Sequence, residues 1–227
     1  MSDGSHKAPT AALELQHLVT RAGRLAAGGG RRLLAITGAP GAGKSTLAAT
    51  LLDRLPAGSA ALVPQDGFHL ADTVLAQLRL SDRKGAPETF DANGFHALLV
   101  RLRTNDEPVV YAPEFHRDLE TAVAGAIPVR RETPLVIVEG NYLLLDSVPW
   151  LLNRPLFDDT WYLGLPDETR QGRLIRRHEQ YGKSAHDAAV WALGNDEQNA
   201  ALVRDSARFA DLLVDSTNLM GRVPEGS

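Results

Sequence analysis

Gly38-Ala-Pro-Gly-Ala-Gly43-Lys44-Ser45-Thr46 follows a short apolar run, Leu33-Leu-Ala-Ile36, and opens a helix-forming one, Thr46-Leu-Ala-Ala-Thr-Leu-Leu-Asp-Arg-Leu55. This is the pattern of a P-loop. In it, glycines let backbone N–H groups wrap a polyphosphate, the lysine reaches the β- and γ-phosphates, and the serine hydroxyl can ligate magnesium. Glycine permits backbone angles and close approaches that a Cβ forbids. The N-terminus of the following helix adds unpaired donors and a partial positive charge. Gly38, Ala39, Pro40, Gly41, Ala42, Gly43, Lys44, Ser45 and Thr46 are therefore the expected polyphosphate cradle, with Ser45 as a metal ligand. The strand before the motif and the helix after it are the context that the motif requires.

The chain has 227 residues, enough for one large α/β domain. It has no cysteine, which excludes disulfides, thiolate nucleophiles and zinc–thiolate sites. A net charge of −4 gives no general reason to expect nucleic acid as a partner. No apolar run approaches the ~18 residues of a membrane span, and Met1-Ser-Asp-Gly-Ser-His-Lys lacks the apolar core of a signal peptide. The expectation is a cytoplasmic protein that needs no membrane.

Residues 1–30 read as a flexible start and a helix around Thr10 to Ala27, anchored by Leu13, Leu18 and Leu25 and ended by Gly28-Gly-Gly30. Residues 31–217 form the main domain, and residues 218–227 a tail. Within the domain, β-like runs alternate with helical patterns: Leu33 to Thr37, Ala60 to Pro64, Val109 to Tyr111, Leu135 to Val138, Thr160 to Leu163 and Leu212 to Val214. Such alternation predicts βαβ units and a mainly parallel sheet. In doubly wound sheets, ligands gather at the carboxyl ends of strands. That rule selects the P-loop, Gln65-Asp66-Gly67-Phe68-His69 after the second run, and Glu139-Gly140-Asn141-Tyr142 after the Leu135 run.

Phosphoryl transfer to an alcohol needs a clamp for the nucleotide, a metal between phosphates, and a group that takes the hydroxyl proton. Lys44 and the loop amides supply the clamp. Ser45 holds magnesium, and Glu139 completes the metal shell directly or through water, with a purely structural hydrogen-bonding role as the alternative. Asp66, between a strand and a glycine, is the expected general base, against the plainer reading of a turn-forming aspartate. The helical segment from Pro166 carries Arg170, Arg173 and Arg177 on one face. Arg173 and Arg177 are the expected catalytic arginines of a lid over about residues 166–190, with Gly182 as its hinge. A solvated charged face is the alternative.

With these residues assembled, the chain resembles the P-loop kinase family that contains uridine kinase, phosphoribulokinase and bacterial pantothenate kinase. The resemblance runs from Leu33 to about Asp215. It rests on the P-loop, Asp66-Gly-Phe-His69, Lys84-Gly-Ala-Pro-Glu-Thr-Phe90-Asp91, Val138-Glu-Gly-Asn-Tyr142 and Arg173-Leu-Ile-Arg-Arg177. Tyr111-Ala-Pro-Glu-Phe-His-Arg117, Glu139 to Asp146 and Trp191-Ala-Leu-Gly-Asn195-Asp196-Glu-Gln-Asn199 are similar to a bacterial branch labelled nucleoside/nucleotide kinase or fructose-transport-system kinase. The resemblance implies a five-stranded parallel core, ATP with Mg2+, Asp66 as base and a helical lid near Arg173 and Arg177. It leaves the acceptor open among sugars or polyols, nucleosides and pantothenate.

Expected acceptor contacts are His69, Lys84, Phe90, Tyr111, Arg117, Asn141 and Tyr142, all in segments that follow strands or flank the cleft. Arg117 and Lys84 suit an anionic acceptor, Asn141 and His69 a polyol, and Phe90 and Tyr142 a stacked ring. Against this, Lys84 reads equally as a solvated loop residue and Phe90 as a core anchor before an Asp91 helix cap. Trp191 reads mainly as packing, while Asn195 and Asp196 either cap a helix or meet the lid or acceptor. The expected function is thus a small-molecule kinase, whose partner is a small hydroxyl-bearing metabolite; a homodimer is allowed. A nucleotide-dependent switch without an acceptor is the alternative, and a polynucleotide kinase the third reading.

Overall fold

The apolar and helical runs fold into a computed structural model in which residues 10–11, 15–217 and 219 are described. The expected flexible start, Leu13 and all of the expected tail except Leu219 lie outside those residues. The elements are β1 (Thr10–Ala11), α1 (Leu15–Ala27), β2 (Arg32–Gly38), α2 (Lys44–Arg54), β3 (Ala60–Pro64), α3 (Asp72–Leu78) and α4 (Ala92–Thr104). There follow β4 (Val109–His116), β5 (Thr121–Arg130), β6 (Leu135–Gly140), β7 (Asp159–Gly164), α5 (Asp167–Gln180), α6 (Ala185–Leu193), α7 (Asn195–Ser206) and β8 (Leu212–Asp215).

Five strands make a parallel sheet in the order β8-β7-β2-β6-β3, and the two-residue β1 adds to the β8 edge. The helix expected to start near Thr10 therefore begins at Leu15, after a short strand. Each central strand is buried on both faces, as parallel strands covered by helices must be. Because side chains alternate along a strand, Leu33 and Ala35 of β2 meet α4 and α7 through Phe95, Leu99 and Val203. Leu34 and Ile36 face the opposite layer, with Leu18 of α1 and Leu47 and Leu51 of α2.

The Val109 run departs from the expected parallel sheet: among the described residues β4 pairs with β5 alone, as an antiparallel ribbon. Its burial explains why. Val110 and Ala112 are buried whereas Tyr111 is exposed, the one-sided pattern of an antiparallel ribbon rather than of a doubly covered strand. A register shift between Ala112 and Glu114 then re-aims the end of the strand.

The register fixes the site. Glu139 of β6 lies opposite Pro64 of β3 and Ile36 of β2, so the three strands end within two residues of one another. The P-loop, the Asp66 turn and the Glu139 segment leave the sheet side by side.

Candidate active site

The P-loop wraps from β2 into α2, with Gly43 in the left-handed region at the head of the helix. Gly41 has φ +82°, and a Cβ there would lie 2.9 Å from Leu174 Cγ and 3.0 Å from the Arg170 carbonyl oxygen. The missing side chain lets α5 rest directly on the loop. Lys44 is buried and its ammonium donates to the Ala39 carbonyl at 3.1 Å. Burial pushes Lys44 down to about 8, opposed by the charges of Glu139 and Asp66. The loop thus holds a desolvated cation that an anion would relieve.

Ser45 Oγ donates to Glu139 Oε1 at 3.0 Å, which sets a hydroxyl and a carboxylate together beside the loop. Burial, then the charge of Asp66, pushes Glu139 up to about 7, while Lys44 and the Ser45 hydroxyl act the other way. Among the described residues no group of three or more His, Asp or Glu side chains could chelate a metal unaided.

A cleft of about 470 Å³ opens over this pair, a size suited to a small-molecule site. Pro40, Gly41, Lys44, Ser45 and Glu139 line one part of it; Asp66, His69, Lys84, Phe90, Arg117 and Asn141 line the rest, with Arg177 of α5. Asp66 sits in the single turn of 3-10 helix from Gln65 to Phe68 that follows β3. The turn presses on the ribbon: a Cβ on Gly67 would collide with the Pro113 backbone. Arg117, just beyond β4, reaches the Asp66 carboxylate at 3.4 Å. His69 Nδ1 donates to the Asp66 carbonyl at 2.9 Å, and its ring packs on Phe90 and Phe115 with centroids 4.0 and 5.0 Å away. Lys84 is held by Asp72 at 2.8 Å and Glu120 at 3.3 Å.

Three expected site residues, two acceptor contacts and one catalytic arginine, lie outside the cleft lining. Tyr111 is 57% exposed on the outer face of β4 and does not line the cleft. Tyr142 is fully buried in the core, where its hydroxyl donates to the Gly85 carbonyl at 2.5 Å. It braces the Lys84 loop from behind. Arg173 is absent from the cleft lining, and its Nη1 is buried without a hydrogen-bond partner among the described residues. Arg170 also leaves the expected arginine face, because it is buried in ion pairs with Asp167 and Glu197. Of the P-loop residues, Ala39 and Ala42 line a neighbouring cavity, while Gly38, Gly43 and Thr46 line neither.

Several lining residues had no assigned role in the sequence: Phe115, Glu120, His178, Tyr181 and Lys183. Trp191, expected to be packing, also lines the cleft. The helix breaks at Gly194, after which Asp196 accepts from His178 Nε2 at 2.8 Å and Asn195 donates to the Lys84 carbonyl at 3.0 Å. Phe115 had a visible signal, its place in Pro-Glu-Phe-His-Arg two residues before Arg117. Tyr181 and Lys183 flank Gly182 beyond α5, where only the packing of α5 and α6 brings them over the cleft.

No family model matches the chain. A protein of Schizosaccharomyces pombe (strain 972) named as a candidate uridine kinase is 30% identical over 199 residues, covering 83% of this chain and 85% of that one. An ATP-dependent kinase-like protein of Aspergillus versicolor is 35% identical over 132 residues, 55% of this chain and 77% of that one. Among solved structures, a candidate fructose transport system kinase from Silicibacter sp. TM1040 is 37% identical with a TM-score of 0.79, over 88% of this chain and 98% of that one.

Proposed function

The chain belongs to the P-loop kinase family that includes uridine kinase, and we propose that it transfers the γ-phosphoryl group of ATP to a hydroxyl of a small sugar, polyol or nucleoside. The observation that carries this reading is the near-level ending of three neighbouring strands. It brings Lys44, the Ser45–Glu139 pair and Asp66 to one cleft.

Lys44 and the loop amides hold the polyphosphate, and the charge they meet there restores the Lys44 proton that burial weakens. Ser45 and Glu139 would hold Mg2+, whose part is to neutralise charge between the phosphates. One hydroxyl and one carboxylate suit an ion that keeps several waters and takes its remaining ligands from the nucleotide. Asp66 takes the proton of the acceptor hydroxyl as that oxygen bonds to the γ-phosphorus and the bond to the ADP oxygen breaks. Arg117 orients the Asp66 carboxylate, and Arg177 faces the same cleft from α5 with no ion-pair partner among the described residues. Burial, then the charge of Arg117, lowers the Arg177 pKa, so an anion placed between them is stabilised by both.

Replacing Asp66→Asn removes the proton acceptor while keeping the side-chain shape. Turnover should fall by ~10²–10⁴-fold with Mg-ATP affinity retained. A variant that turns over near the wild-type rate contradicts the role of Asp66 as base.

A further inference from the structure

Side-chain contacts within the cleft leave three cations without an ion pair among the described residues, and one of them without an assigned role. Each carboxylate that lines the cleft has a polar contact: Asp66 with Arg117, Glu120 with Lys84, Asp196 with His178, and Glu139 with the uncharged Ser45 hydroxyl. Three lining cations form no ion pair among the described residues, Lys44, Arg177 and Lys183. Lys44 and Arg177 act on one another electrostatically, and the kinase reading gives both to the donor phosphates. Lys183 remains.

Lys183 is exposed at the mouth of the cleft, yet it stands over an aromatic ring. The Lys183 ammonium stands 4.6 Å from the centre of the Trp191 ring on α6. Two residues before it, the Tyr181 ring carries the Arg117 guanidinium at 5.7 Å. Lys183 and Arg117 therefore bracket the turn after α5, both within the cleft lining. An aromatic face orients a cation but leaves its net charge unneutralised. Such a charge is costly once a bound ligand displaces water, unless that ligand brings the counter-charge.

Building on the kinase reading, we propose that the acceptor carries an anionic group of its own, a carboxylate or a phosphate, separate from the hydroxyl that is phosphorylated. Lys183, held on Trp191, binds that group. The acceptor class narrows to sugar acids, sugar phosphates and their relatives, ahead of neutral polyols and nucleosides.

The test is an anion titration of the full chain saturated with Mg2+ and a non-hydrolysable ATP analogue, which occupies Lys44 and Arg177. Inorganic phosphate and acetate are the two probes, followed by calorimetry and by tryptophan fluorescence. A saturable response to either probe is expected, weakened at least ~10-fold in Lys183→Met and recovered in Lys183→Arg, since one well-placed charged contact is worth about a factor of ten. The responding probe distinguishes phosphate from carboxylate. Thermal midpoints of the variants verify that each is folded. No saturable response to either probe, or an equal response in Lys183→Met, overturns the inference. Binding of the ATP analogue is measured in the same samples: if it holds while anion binding fails, only the inference falls, and if it fails, the kinase reading falls too.

Discussion

Among single side chains, the two tyrosines expected to touch the acceptor show how position decides role. Tyr111 points away from the sheet core on an exposed face, whereas Tyr142 is sealed inside it with its hydroxyl on the Gly85 carbonyl. Tyr111→Ala should leave stability within ~0.5 kcal/mol and turnover unchanged, as for exposed positions without partners. Tyr142→Phe should cost ~1 kcal/mol through the lost buried hydrogen bond. It should also raise the acceptor KM, because Gly85 adjoins Lys84 in the cleft. Denaturant unfolding and steady-state kinetics on both variants check this; an acceptor KM that responds to Tyr111→Ala and not to Tyr142→Phe contradicts the assignment. The residues nearest the strand ends, Lys44, Ser45, Asp66 and Glu139, were readable in the sequence because local spacing alone puts them there. Tyr111 and Tyr142 were not, because a strand's facing is set by what covers it.

Between elements, the contact of α5 with the P-loop is a close fit. Gly41 lies at φ +82° with Leu174 and Arg170 where a Cβ would sit. Gly41→Ala should therefore cost ~1–3 kcal/mol from backbone strain and crowding. It should also weaken nucleotide binding by pushing α5 off the loop. Thermal unfolding with and without Mg-ATP measures both effects, and a variant with wild-type stability contradicts the close packing. The strands of the parallel sheet were apparent from their continuous apolar runs. β5 was not, since Thr121–Arg130 contains Gly125 and Pro128 and is mostly exposed. For the same reason the antiparallel pairing of β4 escaped detection: it depends on a partner that has no strand-like signature of its own. In α5, period alone put three arginines on one face. The carboxylates Asp167 and Glu197, which also pair with Arg204, then hold Arg170 as the buried member of a half-exposed ion-pair network.

Across the molecule, the end of the sheet opposite the cleft is tied by Asp158. Its carboxylate accepts from the Leu33 amide at 2.9 Å and from Arg32 at 2.7 Å, and it pairs with Arg103 near the end of α4. Burial alone would raise its pKa, but the Leu33 amide and the two guanidiniums together bring it below the usual carboxylate range. A carboxylate whose pKa is lower in the folded chain contributes stability above its unfolded pKa, and that contribution is lost as pH falls through the folded value. Asp158→Asn should be less stable than wild type by ~1–3 kcal/mol at pH 7. The gap should close on acidification below about pH 4. Unfolding curves at neutral and acid pH test this, and a gap that stays constant with pH contradicts it. This tie leaves the carboxyl ends of β2, β3 and β6 free to carry the cleft, which is where the central claim lies. That claim is tested most directly by incubating the protein with Mg2+, ATP labelled at the γ-phosphoryl group, and panels of sugar acids, sugar phosphates, sugars, polyols and nucleosides, then following the label by mass spectrometry. The label is predicted to appear on a hydroxyl of a small molecule in proportion to ADP formed, and to be lost with Asp66→Asn. Label recovered only as inorganic phosphate, with no phosphorylated acceptor from the panels or from metabolite extracts, would contradict the account.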